Sequence, residues 1–212
     1  MIIIDFDDTL FDTQQYIRDI LALFVQHGVS VEDARAAMKS LILTEHTQVY
    51  NHTFEHHLES LQSLGYALPT RVLLHALKAL TQKTDYSFSD TVSFLERLSA
   101  LGQRVILLSA GNESFQRMKY ESTQCPPFFD EAVFVQSHKE EYVASVYRVG
   151  EPLFFINDKS PENEAVKRLC PHAIVITKHN PYKAVGDHAS SMSFPTFDSL
   201  LDIATYIETY DR

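Results

Sequence analysis

This chain of 212 residues predicts an α/β fold built on a parallel, doubly wound sheet of five strands. Three observations predict it: short β-branched or aromatic runs recur along the chain, helical patterns separate them, and each run stops at polar or charged residues. The first run, Ile2-Ile3-Ile4-Asp5-Phe6, reads as a buried strand that ends in the acidic cluster Asp5-Phe6-Asp7-Asp8-Thr9. Similar strands are expected at residues 105–108, 132–135, 153–156 and 173–176. In parallel sheets covered on both faces, ligands bind at the carboxyl ends of the strands, so the residues just past each run carry the interest.

Helices are expected at 113–121, from Glu140 onward, and at 161–169, where Pro161 suits a first turn. Ahead of the second strand, Ser89-Asp90 reads as the cap of a helix carrying Val92, Leu95, Leu98 and Leu101 three apart, with Gly102 as its stop. Residues 14–85 break the strand–helix rhythm. They hold four helical stretches, near 14–27, 31–43, 53–64 and 70–80, punctuated by Gly28, Gly65 and Pro69. Leu58, Leu61 and Leu64, then Leu73, Leu74, Leu77 and Leu80, form the apolar stripes of a small bundle. The expected organisation is a core of residues 1–13 and 86–212 with an all-helical domain, 14–85, inserted over the strand ends.

Eighteen Lys and Arg against 28 Asp and Glu give a net charge of −10. That balance repels phosphate backbones and anionic bilayers, which excludes nonspecific nucleic-acid binding and membrane-surface adhesion as expected functions. A small anionic substrate stays open, provided a few basic residues or a divalent cation supply local positive charge. No apolar run approaches the ~20 residues that span a bilayer. The two cysteines, Cys125 and Cys170, form no CxxC pattern and read as small packed thiols. The opening MIII is too short for a secretory leader, so a cytoplasmic location is expected.

Asp5 and Asp7 leave the first strand two residues apart. If the backbone stays extended they share a face, and ionising both is costly without a cation. Acids after a strand also serve simply as turn or cap residues. The later strand ends tip the balance: Ser109 closes the second, Lys139 follows the third, and Asn157-Asp158 closes the fourth with Glu162 four residues on. A carboxylate nucleophile, a hydroxyl, an ammonium and a further acid gathered at one sheet edge suit a phosphoryl group, which needs in-line positioning and neutralisation of spreading charge.

DFDDT, ILLS, Lys139 and NDKSPE, in that order, resemble the four motifs of the haloacid dehalogenase superfamily. The helical insert after FDDTLFDT is similar to the cap of its phosphoglycolate-phosphatase-like and phosphoglucomutase-like branches. The resemblance implies a Rossmann-like core, an aspartyl-phosphate formed on Asp5, and Asp7 as general acid and base. It further implies Ser109 and Lys139 as phosphate-binding residues, and magnesium held by Asp5, Asp158 and the Asp7 backbone carbonyl, with Glu162 in the outer shell. The dehalogenase branch lacks an acid two positions after its nucleophile, so Asp7 favours phosphoryl transfer over dehalogenation. Three positions depart from the pattern. Asn157 replaces a frequent glycine before the motif-four acid, Asp8 replaces one in the motif-one turn, and Lys139 lacks the usual following proline. Lys119 and Lys159 are the alternatives for that lysine.

The expected function is therefore magnesium-dependent hydrolysis of a small phosphorylated metabolite. The alternatives are a phosphomutase or phosphotransferase on the same scaffold, or a non-catalytic phosphate-binding member. Arg117 and Lys119, on the helix after Ser109, read as a solvated face. The histidine-rich stretch from Glu45 to His57 reads as solvated or packing histidines rather than a metal site, since no HExxH or cysteine partner accompanies it and His56 and His57 face different sides of a helix. A loop near Tyr50 is expected to touch the leaving group.

Overall fold

The structure is a computed structural model that describes residues 1–42, 52–180 and 192–210. Its elements run β1 (Ile2–Ile4), α1 (Thr13–Gln26), α2 (Val31–Ile42), α3 (Phe54–Ser63), α4 (Thr70–Lys83), α5 (Thr91–Ala100), β2 (Val105–Ala110), α6 (Glu113–Glu121), β3 (Glu131–Val135), α7 (Lys139–Val146), β4 (Phe154–Asn157), α8 (Ser160–Leu169), β5 (Ile174–Lys178), β6 (Thr196–Phe197) and α9 (Leu200–Glu208).

The strands form one parallel sheet in the order β3-β2-β1-β4-β5-β6. β1 lies inside it, with Ile3 opposite Ile106 on one side and Phe155 on the other. Strand order reverses there: the chain winds outward through β2 and β3, then returns to place β4 on β1's other flank. The carboxyl ends of β1 and β4 therefore open at a topological switch point, where such sheets bind ligands.

Alternation along the buried strands feeds two cores. Ile2, Ile4, Val105 and Leu107 pack beneath α5, α6 and α9, whereas Ile3, Ile106 and Leu108 pack against Val143 of α7 and Val166 of α8. The first core runs on without a break into α1–α4, through Tyr16, Ile20, Phe24, Leu58, Leu61, Leu73 and Leu77. These four helices pack on one another, and α4 also leans on α6. Both cysteines are buried free thiols. No helix among the described residues is long and apolar enough to cross a membrane.

The structure adds β6 and α9, beyond the last element that the sequence pattern announces. β6 spans only Thr196–Phe197, too short to show alternation. α9 buries Leu200, Ile203, Ala204 and Ile207 at helical spacing. Asp90 stands at the N-cap of α5 but makes no capping bond there. Its carboxylate instead accepts from the Leu200 amide at 2.9 Å and the Ser199 hydroxyl at 3.3 Å, tying the start of α9 to that of α5.

Candidate functional site

Asp5 sits one residue beyond β1, and its amide donates to the Ile156 carbonyl of β4 at 2.9 Å, which fixes it at the switch point. The chain then folds back sharply: the Leu10 and Phe11 amides both return to the Phe6 carbonyl, at 2.9 and 3.1 Å. Asp8 takes φ = +60° in this turn. That left-handed conformation explains why glycine is frequent at this motif position, and aspartate is among the residues that tolerate it. The turn also brings the Thr9 hydroxyl to 3.4 Å from Asp5 Oδ2.

Lys139 opens α7 directly after the loop from β3, behind His138 in a left-handed conformation. It is the lysine that reaches Asp5, its Nζ standing 2.6 Å from Asp5 Oδ1, 2.8 Å from Glu162 Oε2 and 3.3 Å from Asn157 Oδ1. Lys159 meets Glu162 from the other side at 3.3 Å. Asn157 turns its amide away from Asp5, donating to Asn163 Oδ1 at 3.0 Å and the Lys159 carbonyl at 3.1 Å. Asp158 is fully buried and lies close enough to Asp5 to disfavour its charge.

Two ammoniums, Lys139 and Lys159, do not balance the three acids Asp5, Asp158 and Glu162 at the Asp5 carboxyl. Burial pushes the Asp5 carboxyl from its ordinary 3.8 up to about 6; Lys139 pulls it down, while Asp158 and Glu162 push it further up. Burial would also raise Glu162, but Lys139 and Lys159 hold it at about 2. Lys139 is raised, because Asp5 and Glu162 outweigh the burial that opposes its charge. A buried carboxylate this costly to ionise is what a hard divalent cation relieves. The ligand set that the resemblance implies, two carboxylates and a backbone carbonyl, would suit magnesium, which keeps several waters and takes few protein ligands. Among the described residues no three His, Cys, Asp or Glu side chains gather into a metal cage, and such an ion needs none.

Ser109, in β2, is fully buried, and its hydroxyl finds no hydrogen-bond partner among the described residues. A buried hydroxyl left unmatched costs about 1–3 kcal/mol, so one at a strand end is suited to a ligand oxygen.

Asp7 departs from the expectation of a strand extended as far as its own position, and its carboxylate takes partners different from those of Asp5. β1 ends at Ile4, and Asp7 forms an isolated bridge with Phe11 instead of continuing the strand. Its carboxylate is held by Lys119 Nζ at 2.5 Å, the Thr13 hydroxyl at 2.7 Å and Gln116 Nε2 at 2.9 Å. Burial would raise this acid, but Lys119, Thr13 and Gln116 together keep it down at about 2. Lys119 is therefore not on a solvated face: it is 3% exposed, with Phe6, Phe11, Tyr16 and Phe115 rings around its ammonium at 5.1–5.9 Å. Its neighbour Arg117 does face outward, pairing with Glu113 at 2.9 Å.

Gly111 makes this arrangement possible. It has φ = +148°, and a Cβ there would stand 2.7 Å from Gln116 Nε2, the atom that reaches Asp7. Gln116 and Lys119 escape a reading of the sequence because both lie inside a polar-looking helix. The available signal is their i, i+3 spacing beside Phe115 and Tyr120, which marks a buried face. Residues 45–51 and the proposed Tyr50 contact lie outside the described residues. Of the histidines, His57 is fully buried and His56 is not.

Parallel α/β architecture, acids at the switch point and a buried lysine on the first of them define a hydrolase-type site of the kind the motif order announces. A family model described as haloacid dehalogenase-like hydrolase matches residues 1–173, and the chain belongs to that family. No curated protein matches it significantly. Solved structures share the fold along nearly the whole chain. A haloacid dehalogenase-like hydrolase from Burkholderia xenovorans LB400 superposes with a TM-score of 0.75 at 16% identity, covering 99% of this chain and 96% of its own. The L-2-haloacid dehalogenase of Xanthobacter autotrophicus gives 0.69 at 13%, covering 98% and 97%. The hydrolase YfnB of Bacillus subtilis, solved bound to magnesium, gives 0.67 at 14%, covering 97% of each chain. At such identities the likeness is one of fold.

Proposed function

We propose that this hydrolase is a magnesium-dependent phosphatase that cleaves a small phosphomonoester through an aspartyl-phosphate on Asp5. One observation carries the reading: a second carboxylate, Asp7, stands two residues after the nucleophile position and is fixed by three donors. A halide leaves without a proton, and dehalogenases lack this acid; hydrolysis of an acyl phosphate needs a base for water.

In this reading the Asp5 carboxylate attacks phosphorus while Lys139 and the Ser109 hydroxyl hold the phosphoryl oxygens. Asp7 in its protonated form gives its proton to the departing ester oxygen, water then attacks the aspartyl-phosphate, and the Asp7 carboxylate takes the proton of that water, which restores the acid for the next cycle. Inorganic phosphate leaves and Asp5 is restored. Magnesium, held by the Asp5 and Asp158 carboxylates and the Asp7 carbonyl, supplies charge neutralisation when bound. Glu162 acts outside the ligand set, dividing its oxygens between Lys139 and Lys159. The helices α1–α4 serve as the cap over the leaving group.

The test uses 4-nitrophenyl phosphate, because Lys119, Thr13 and Gln116 favour the ionised form of Asp7 and a nitrophenolate departs without protonation. Turnover with magnesium, lost on chelation and reduced by more than about 10³-fold in Asp5→Asn, is expected. The same assay includes L-2-chloropropionate. Chloride release in place of phosphate release, or phosphatase activity that survives Asp5→Asn, overturns the reading.

A further inference from the structure

A cavity of about 190 Å³ opens beside Asp7 and Asn112, between α1, α2 and α6, with walls that include Ile17, Ile20, Met38 and Phe115. His52 also lines it. The histidine reads as a packing residue in the sequence, but its hydrogen bonds define what it can offer. His57 Nε2 lies 2.9 Å from the Ala34 carbonyl, which only accepts, so this nitrogen carries the proton. In the neutral ring His57 Nδ1 is then an acceptor, and it faces His52 Nε2 at 3.3 Å. His52 must donate there, which leaves its Nδ1 as the acceptor.

The rings are held in place as well as in tautomer. His52 meets Phe115 edge-on at 5.0 Å and Phe54 at 6.4 Å, while His57 packs on Phe24 at 4.6 Å. Burial lowers both histidines, His52 to about 3 and His57 to about 4, with His57 and then Lys119 adding to the effect on His52. Both rings are accordingly neutral. Among the described residues His52 Nδ1 has no hydrogen-bond partner.

Resting on the phosphatase reading above, we propose that His52 is a specificity-determining residue, selecting a phosphomonoester whose leaving group is small, largely apolar and equipped with one hydrogen-bond donor. The walls accept a hydrocarbon or aromatic skeleton, and Nδ1 accepts from a hydroxyl or N–H on it. An anionic leaving group is rejected: Lys119 and Lys159, which also line the cavity, are paired with Asp7 and Glu162, and a carboxylate would face the Nδ1 lone pair with acceptor against acceptor.

Phenyl phosphate, the three ring isomers of hydroxyphenyl phosphate and those of carboxyphenyl phosphate, each assayed with magnesium, separate the possibilities. The best hydroxyphenyl isomer should exceed phenyl phosphate in kcat/KM by about tenfold, one net hydrogen bond's worth, and every carboxyphenyl isomer should fall below it. His52→Phe keeps a ring but no acceptor, and should bring the hydroxyl-to-phenyl ratio close to one. His52→Asn keeps an oxygen acceptor near the position of Nδ1 and should retain part of the ratio. Turnover of phenyl phosphate with no hydroxyl preference in the wild-type protein, or a preference that survives His52→Phe, overturns the role of His52 alone. Turnover of none of the esters overturns the phosphatase reading and this proposal together.

Discussion

Asp5 and Asp7, two residues apart, each pair with a lysine, and the two pairs differ in how many acids each lysine serves. Lys139 and Asp5 are both 2% exposed and 2.6 Å apart, but Lys139 is shared with Glu162 and Asn157, and Asp158 crowds the same side. Lys119 and Asp7 are 2.5 Å apart, and that carboxylate also accepts from Thr13 and Gln116. The result is opposite: Asp5 rises to about 6 and Asp7 falls to about 2. The strand-end region is short of positive charge, whereas the region facing α1 and α6 is already neutralised. Distance alone does not rank a buried ion pair; the local ratio of acids to cations does.

Removing each lysine is the strongest way to break this comparison. Lys139→Met leaves buried carboxylates without their ammonium, and a loss of about 3–5 kcal/mol in urea unfolding is expected. Lys119→Met costs less, about 1–3 kcal/mol, because the Asp7 side chain is 21% exposed and keeps two other donors. Magnesium sharpens the contrast. Saturating ion, which binds at Asp5 and Asp158 in every variant, should narrow the deficit of Lys139→Met relative to wild type and leave that of Lys119→Met unchanged. Equal rescue of both variants would mean that the two regions are not electrostatically distinct.

The two regions also differ in how visible they are to a reader of the sequence. Asp5, Ser109, Lys139 and Asp158 lie at the ends of β-branched runs, and in a parallel sheet the place where such a run stops is a position in space as well as in sequence. Lys119 and Gln116 reach Asp7 from inside a helix, where only burial of their face reveals them, and burial depends on α4 and the aromatic residues of other elements. The expectation of one shared face for Asp5 and Asp7 misses their separate partners for a related reason. A period of two holds only within a continuous strand; β1 ends at Ile4, and the chain turns back at Asp8 with hydrogen bonds to the Phe6 carbonyl.

Titration gives the next contrast, and its sign differs between the regions. Asp5 has a folded-state pKa above its ordinary 3.8, so between about pH 4 and pH 6 the folded chain holds a proton that the unfolded chain has released. Its contribution to stability falls as pH rises through that window. Asp7 is depressed, so its contribution is present above the ordinary carboxylate range and is lost as pH falls from about 4 towards 2. Unfolding free energies measured in chelator should show the wild-type protein losing about 1–2 kcal/mol relative to Asp5→Asn from pH 4 to pH 6. With magnesium this relative loss should vanish. An unchanged difference across the window would remove the raised Asp5 from the comparison.

The smallest expected effect isolates the hydroxyls that accompany each acid. Thr13 Oγ1 donates to Asp7 at 2.7 Å, a short bond to a charged acceptor, whereas Thr9 Oγ1 approaches Asp5 at 3.4 Å, near the limit of a hydrogen bond. Thr13→Val should therefore cost about 1.5 kcal/mol and raise the Asp7 pKa, while the near-isosteric Thr9→Val costs about 0.5 kcal/mol. Carboxyl carbon chemical shifts followed through pH report the first change directly. A larger shift at Asp5 in Thr9→Val than at Asp7 in Thr13→Val would show that the strand-end acid, not its neighbour, depends on hydroxyl support, and that Lys119 and Gln116 keep Asp7 ionised without Thr13.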